Sequence, residues 1–446
     1  MPSKSNIKGA LAVLANSSEH LALYQSQRRD FFIVVLVNTP LARFAAKNFD
    51  RHNIIVINYT GKISEALPWS LQIDALIKKS DLTAKLVKAG VKYFMVPYRS
   101  SVWLEKWAAK NNFRLVVTPY EIQQQLENKS FFDKLLKKNR LPSPATIGNF
   151  KKLPVAGHSY VAQQATVSDY FRTTFLKNNL ELKKFLIANR AKLKNLVIRQ
   201  YLPGLPVGVS IFIDPRGNYF FSALRRQCFD HHQGWPEDFI GLQWLSSSFL
   251  PQPVNRRVNL VLKKLAFVLA QTGFSGVANV DFIVYQNQVY ILECNPRLSV
   301  AMPQIFYRQD LTVYQKSFEF FIASLATAGS YAKIKPPALP KTGFKGSVLE
   351  LSAERRFTVV KPLPIGVYSF TNRQLKYLGN GFGLLNRRPD RFLLFHELMP
   401  GMVLKRGYAL ASVFANFPLF DPMAGKLNQL GRDLRDQLQA SFTKKS

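Results

Sequence analysis

Short runs of consecutive apolar residues punctuate the first part of the chain, and stretches with helical spacing separate them. The runs are Phe31–Val37, Asn53–Tyr59, Lys92–Val96 and Arg114–Thr118. A continuous apolar run of this length is typical of a strand buried on both faces of a sheet. Residues 1–118 are therefore predicted to form a small open parallel α/β domain.

The spacing changes near residue 119. One long helix is predicted at Glu121–Arg140, where Pro142 follows, and an amphipathic helix is predicted at Asn255–Gln271. Strands are predicted at His158–Gln164, Asn195–Tyr201, Val207–Asp214 and Tyr219–Arg225. The last two strands flank a turn with proline and glycine at Asp214–Gly217 and should form a hairpin.

The final third of the chain follows a segment rich in proline and glycine, 328–340, which is predicted to be a linker. A helix is predicted before it at Leu311–Leu325. After it, residues 341–446 should form a mostly-β domain that ends in a helix from about Lys426. Its strands are predicted at Gly346–Leu351, Phe357–Val360, Gly366–Phe370 and Val403–Val413.

One hairpin carries the clearest chemistry. Two apolar runs, 280–285 and 289–292, flank the polar turn Gln286–Gln288. If the turn is centred on Asn287, Asp281 lies opposite Glu293, and Asn295 shares the face of Glu293. Facing carboxylates repel each other and favour a cation between them.

Carboxylate and amide oxygens are the ligands that Mg²⁺ prefers when it also holds substrate phosphates. Arg297 follows closely, where its guanidinium could hold a phosphate oxygen. The alternative is an edge hairpin whose acidic side chains face water. A slip of one residue in the register would separate the pair.

The runs Val280–Phe282 and Ile291–Ser299, with their Glu-Cys-Asn-Pro-Arg core, closely resemble the ATP-grasp superfamily. This family includes biotin carboxylase, D-alanine–D-alanine ligase and microbial peptide ligases. The resemblance implies an ATP-grasp fold at 119–328, a small α/β domain before it and a β-rich domain after it. It also implies that ATP and Mg²⁺ bind, with Asp281, Glu293 and Asn295 on the metal and Arg297 on the transferred phosphate.

The resemblance extends to the nucleotide side. It implies that Lys129 contacts ATP phosphate, that Gln164 replaces a family lysine, and that Arg225 or Arg226 holds a carboxylate or phosphate. Plain surface positions remain the alternative for these basic residues. The expected adenine hinge consists of Ile198, Arg199, Gln200 and Tyr201.

The chain departs from the family pattern at several positions. Gln200 stands where the hinge usually has glutamate, and the expected phosphate flap, 165–174, contains no glycine. Glycine matters there because backbone N–H groups must approach phosphate closely. Some peptide-ligase-like members also have glutamine in place of the lysine. His231 and His232 are predicted to lie in a polar loop, Asp230–Pro236, that faces solvent; a loop that borders the substrate is the alternative.

Composition limits the remaining classes. The 446 residues include 61 Lys+Arg and 27 Asp+Glu, a formal charge of +34. The basic residues alternate with apolar ones, which is typical of solvated helix faces, although a polyanionic partner is an alternative. The run Gly9–Ala15 only faintly resembles a signal peptide. With two cysteines and no long apolar run, a reduced cytoplasmic protein without a membrane span is predicted.

The leading hypothesis is an ATP-dependent carboxylate–amine ligase that acts through an acyl phosphate. Its substrates would be a small carboxylic acid and an amine or amino acid. A catalytically degenerate scaffold is the second hypothesis, because the flap glycines are missing. Nucleic-acid binding is the least favoured, since no recognition motif accompanies the charge. The oligomeric state stays open, a homodimer included.

Overall fold

The computed structural model describes residues 10–14, 32–37, 54–57, 69–96, 99–147, 157–166, 173–232, 235–301, 304, 345–380, 388–396 and 398–443. The predicted helix at Leu311–Leu325 and the predicted linker at 328–340 lie outside these residues. Most of the expected flap, 165–174, also lies outside them.

The N-terminal sheet is parallel and has the strand order β3-β2-β1-β4-β5. Its strands are β1 Ala10–Leu14, β2 Phe32–Val37, β3 Ile54–Ile57, β4 Val91–Met95 and β5 Arg114–Val116. Helices accompany the second half: α1 Trp69–Lys78, α2 Leu82–Lys88 and α3 Val102–Lys110. The run compared with a signal peptide, Gly9–Ala15, contains the central strand of this sheet, which the sequence analysis missed.

The predicted helix Glu121–Arg140 is wrong as one unit, because the chain forms α4 Tyr120–Glu127 and α5 Lys129–Lys138. Asn128 separates them in an extended conformation, with ψ of 109°. Its side-chain oxygen accepts a hydrogen bond from the Phe131 backbone N–H at 2.9 Å and so caps α5. The break places Lys129 at the first turn of a new helix.

A small antiparallel sheet with the order β7-β6-β8 forms the next unit. It contains β6 Tyr160–Gln164, β7 Thr174–Leu176 and β8 Leu196–Gln200, with α6 Asn179–Ala188 packed against it. A short 3₁₀ helix, Arg190–Asn195, leads into β8. The core of this small-sheet unit includes Tyr160, Leu182 and Ile198, all of which are buried.

A large antiparallel sheet spans the rest of the chain in the order β14-β13-β9-β11-β12-β15-β21-β19-β17-β18, with β10 paired to β9. Its first half contains β9 Leu205–Ile213, β10 Tyr219–Phe221, β11 Arg225–His232, β12 Trp235–Trp244, β13 Gly276–Tyr285 and β14 Gln288–Asn295. Helix α7, Gln252–Gln271, packs Val258, Leu262, Leu265 and Leu269 into the core, as its spacing predicts.

The second half of this sheet comes from the C-terminal third. It contains β15 Ser347–Ser352, β17 Gly366–Thr371, β18 Gln374–Gly379, β19 Arg391–Phe395 and β21 Ala409–Ala415. The short strands β16 Phe357–Thr358 and β20 Val403–Leu404 pair separately, and α8 Gln429–Thr443 follows. The predicted strand Val403–Val413 is therefore two strands.

Two other predictions near the middle of the chain are wrong. The predicted strand Tyr219–Arg225 splits into β10 and the start of β11. The predicted loop Asp230–Pro236 instead contributes to the paired strands β11 and β12, where His231 lies opposite Pro236. The mixed α/β and α+β fold class is confirmed, while the exact domain boundaries at 118, 328 and 341 stay predictions. No helix of the described segments is long and apolar enough to cross a membrane.

Candidate functional site

Asp281 on β13 faces Glu293 on β14, but the turn that joins the two strands differs from the predicted turn. The turn has two residues, Gln286 and Asn287, with φ of 48° and 61°, as a type I′ turn requires. If the strands paired regularly from this two-residue turn, Asp281 would lie opposite Leu292. A bulge between Asp281 and Phe282 shifts the pairing by one residue and brings the two carboxylates together.

The two carboxylates sit in different electrostatic environments. Burial and the neighbouring Glu293 raise the pKa of Asp281 to about 7, although Arg225 opposes the shift. Burial also opposes ionisation of Glu293, but Lys129 Nζ lies 2.8 Å from Glu293 Oε2 and holds the pKa of that carboxyl below its usual range. The Asn295 amide adds a hydrogen bond to Glu293 Oε1 at 3.2 Å. Such a pair, with one carboxylate repelled by the other, suits a bound cation.

Arg225 reaches Asp281 across a glycine. Gly208 on β9 pairs with both residues, and a Cβ there would lie 3.2 Å from Asp281 Oδ1 and 3.3 Å from Arg225 Nε. The guanidinium donates to Asn279 Oδ1 at 2.9 Å and to Ser210 Oγ at 3.1 Å, and the residue is 4% exposed. Burial lowers its pKa to about 10 while Asp281 opposes the shift, so Arg225 is charged at neutral pH.

Arg297 is held by a carboxylate from another part of the chain. Its Nη1 donates to Glu127 Oε1 at the end of α4 and to Asn295 Oδ1, the latter at 2.9 Å. Glu127 also pairs with Arg99, whose Nε lies 3.0 Å from Glu127 Oε2. The sequence analysis missed Arg99 and Glu127, because no local spacing links positions so far apart.

The predicted hinge residues divide between the site and the protein core. Arg199, Gln200 and Tyr201 line the cavity described below, whereas Ile198 is buried in the core of the small sheet. Arg199 Nη1 donates to the Leu292 carbonyl at 2.7 Å, and Nη2 donates to the Lys129 carbonyl at 3.3 Å. The Tyr201 ring meets Phe175 edge to face.

The glutamine that lines the cavity on β6 is Gln163, and the lining residues do not include Gln164. Gln163 Nε2 donates to Thr173 Oγ1 at 3.2 Å. The position on this strand that borders the cavity is therefore one residue earlier than the predicted one. The role assigned to Gln164 stays a prediction.

One cavity of about 620 Å³ joins these groups between the small sheet and the large sheet. It is lined by the carboxylate pair, Asn295, Arg225, Arg297 and three of the hinge residues, Arg199, Gln200 and Tyr201. Among the described residues, no group of three or more His, Cys, Asp or Glu side chains could hold a metal. The donor set of two carboxylates and one amide suits an ion that takes its other ligands from phosphate and water, as Mg²⁺ does.

Comparisons with known proteins agree with this geometry. A sequence profile of the ATP-grasp domain matches residues 126–301. Biotin carboxylase from Campylobacter jejuni aligns with a TM-score of 0.61 and 14% identity over 93% of this chain and 89% of its own. The biotin carboxylase domain dimer of Hydrogenobacter thermophilus 2-oxoglutarate carboxylase, solved with MgADP, ADP and bicarbonate, aligns with a TM-score of 0.60 and 11% identity over 91% and 85%.

Pyruvate carboxylase from Rhizobium etli also aligns, with a TM-score of 0.61 and 11% identity over 96% of this chain and 39% of its own. No curated protein sequence matches the chain. Identities this low establish the fold rather than the substrate. The resemblance seen in the sequence is nevertheless confirmed, and residues 126–301 belong to the ATP-grasp domain family.

Proposed function

We propose that the protein is an ATP-dependent ligase that joins a small carboxylic acid to an amine or amino acid. The observation that carries this proposal is the pair of Asp281 and Glu293 in a cavity that Arg225 and Arg297 also line, with Lys129 ion-paired to Glu293. One structural relative was solved with MgADP, which supports Mg²⁺ and ATP as the ligands.

Each group would have one task. Asp281, Glu293 and Asn295 would hold Mg²⁺, which when bound would neutralise charge on the phosphates. The Lys129 side chain is ion-paired with Glu293 and could rotate to contact a phosphate oxygen. Arg297 would hold the transferred phosphate, and the backbone at Gln200 and Tyr201, together with Arg199 beneath it, would border the adenine.

The chemistry needs charge neutralisation more than an acid–base residue. A substrate carboxylate oxygen would attack the terminal phosphorus while the bond to ADP breaks. The amine nitrogen would then attack the acyl carbon, and inorganic phosphate would leave as the nitrogen loses a proton. Arg225, fixed by Asn279 and Ser210, would bind the carboxylate beside Asp281.

A degenerate scaffold that binds nucleotide weakly is the second candidate. It is favoured by the absence of glycine in 165–174 and by Gln200 at the hinge position. This candidate predicts a folded protein with no magnesium-dependent response to nucleotide. Thermal unfolding with magnesium and nucleotide therefore distinguishes the two candidates.

Thermal unfolding with Mg²⁺ and a non-hydrolysable ATP analogue tests the site. Ligand at about 100 times its Kd adds about 2.7 kcal/mol, which raises the Tm of a domain of about 200 residues by several degrees. We expect this rise in the wild type and its loss in Glu293→Gln. The control is Glu121→Gln, which changes an exposed glutamate on α4. A folded wild type that shows no magnesium-dependent rise would sink the ligase proposal.

A further inference from the structure

One face of strand β11 runs outward from the carboxylate pair and changes character along its length. Arg225, Gln227, Phe229 and His231 alternate onto this face and all line the cavity. Arg225 lies beside Asp281, and the Gln227 side chain hydrogen-bonds to Asp281. The face is therefore polar where the reacting groups would meet and aromatic farther out.

Strand β12 completes the outer part of this face. Phe229 pairs with Phe239, and Gln227 pairs with Leu242. The two rings meet edge to face with centroids 5.9 Å apart, and Phe239 keeps 38% of its surface exposed. A large apolar side chain that borders a cavity with this much free surface can pack against a ligand.

The C-terminal segment forms a wall of the cavity beside Arg226. Arg226, which also lines the cavity, donates through Nη1 to the carbonyls of Pro422 at 2.7 Å and Met423 at 2.5 Å. A Cβ at Gly425 would lie 2.5 Å from Arg226 Nε, so only glycine allows the loop to lie flat on the guanidinium. Ala424 and Gly425 thereby reach the cavity lining.

We propose that the carboxylic acid substrate carries an aromatic ring, which packs on Phe229 and Phe239 while its carboxylate lies beside Arg225 and Gln227. This inference rests on the proposed ligase function. Gln227 and Phe229 are two residues apart, which is about 7 Å along a strand. An acid with one or two carbon atoms between carboxylate and ring, such as 3-phenylpropionate or phenylalanine, spans that distance.

The ring pair is separate from the expected adenine position. The hinge strand β8 and the Tyr201–Phe175 pair belong to the small sheet, whereas Phe229 and Phe239 belong to the large sheet. If Phe239 instead packed on adenine, its removal would weaken nucleotide binding. If it packs on the acid, nucleotide binding stays unchanged.

Calorimetric titration of 3-phenylpropionate into the full-length protein with Mg²⁺ and a non-hydrolysable ATP analogue tests the pocket. We expect binding that weakens at least about tenfold in Phe239→Ala, with an unchanged nucleotide Kd. The matched control is Phe267→Ala, which removes an exposed ring of α7 that does not line the cavity. No binding of 3-phenylpropionate, or an equal loss of nucleotide affinity in Phe239→Ala, would overturn the proposal.

A second measurement separates this inference from the proposed function. Hydroxylamine can stand in for the amine and convert an acyl phosphate to a hydroxamate. We expect kcat/KM at least about tenfold higher with 3-phenylpropionate than with acetate or propionate, which lack the ring. Equal values for all three acids would contradict the aromatic pocket. Binding of 3-phenylpropionate that depends on Phe239, without any hydroxamate, would overturn the ligase function and leave the pocket supported.

Discussion

At the scale of single residues, Glu127 pairs with two arginine side chains that are largely, but not fully, buried. The side chains of Arg99, Glu127 and Arg297 are 11%, 5% and 17% exposed, and both arginines contact the same carboxylate. Removing one partner of a buried ion pair leaves an uncompensated charge. Glu127→Ala should therefore leave two like charges in close contact and destabilise the protein by roughly 3–5 kcal/mol.

Thermal unfolding of Glu127→Ala beside Glu121→Ala tests this expectation. Glu121 lies on the same helix but is exposed, so its removal should change the Tm little. Glu127→Gln keeps the shape and should fall between the two variants. Equal Tm values for Glu127→Ala and Glu121→Ala would show that the arginines do not depend on Glu127.

The same cluster shows what single-residue patterns can predict. Asp281, Glu293, Asn295 and Arg297 are recognisable because they follow one another within a hairpin and its continuation. Arg99 and Glu127 reach the site through the tertiary fold, from a loop after β4 and the end of α4. No periodicity in the sequence links them to Arg297.

At the scale of elements, the β13–β14 hairpin shows that the pairing of Asp281 with Glu293 can be predicted even though the predicted turn is wrong. The alternation of residues indicates the two strands, but a two-residue turn with a bulge and a three-residue turn place Asp281 opposite Glu293 equally well. Only the positive φ angles of Gln286 and Asn287 distinguish them. The β11–β12 hairpin was missed because Asp230–Pro236 is polar and has the composition of a loop, although His231 borders the cavity.

Helix α8 packs against His396, and this contact should make the stability of the fold depend on pH. His396 follows β19, is 6% exposed and meets Phe442 of α8 edge to face. Its Nε2 donates to the Leu363 carbonyl at 2.6 Å, and its Nδ1 accepts from the Leu398 N–H at 3.2 Å. The contact at Nδ1 requires the neutral ring, because a proton on Nδ1 would face the Leu398 N–H.

Burial lowers the pKa of His396, while the hydrogen bond to Leu363 opposes the shift. Below a pH of about 6.5 the unfolded chain binds the proton more readily than the folded chain, so stability falls as the pH decreases through this range. The loss is about 1.4 kcal/mol for each unit by which the pKa is lowered. His396→Asn should flatten the decline in Tm between pH 7.5 and 5.5, whereas His158→Asn, at an exposed position, should not. An unchanged slope in His396→Asn would contradict this account.

At the scale of the whole molecule, the formal charge of +34 is larger than the proposed mechanism requires, because that mechanism uses only the few cations at the cavity. Such a field raises the local concentration of anionic substrates such as ATP and aromatic acids. It would also bind nucleic acid without sequence preference, in a strongly salt-dependent way. The sequence predicts the size of this field, but only the fold shows that Arg225 and Arg297 line one cavity with Glu293, to which Lys129 is ion-paired.

The large sheet makes the ATP-grasp segment and the C-terminal third depend on each other. Gln304 is fully buried where β12, β15 and β21 meet. Its Oε1 accepts from Trp244 Nε1 at 2.6 Å, and its Nε2 donates to the carbonyls of Ser347 at 2.8 Å and Ala415 at 2.9 Å. One side chain therefore satisfies polar groups on three strands, and the sequence offers no sign of it.

Gln304→Leu would keep the volume but leave an indole N–H and two carbonyls without this partner. Each unsatisfied buried group costs about 1–3 kcal/mol, so we expect a fall in Tm of many degrees. Because Gln304 links strands on both sides of the junction between the two halves of the sheet, calorimetry should show one main transition in the wild type and two separated transitions in the variant. Gln124→Leu, at an exposed position of α4, should leave the trace unchanged. A single transition at the wild-type temperature in Gln304→Leu would mean that strand pairing alone couples the halves.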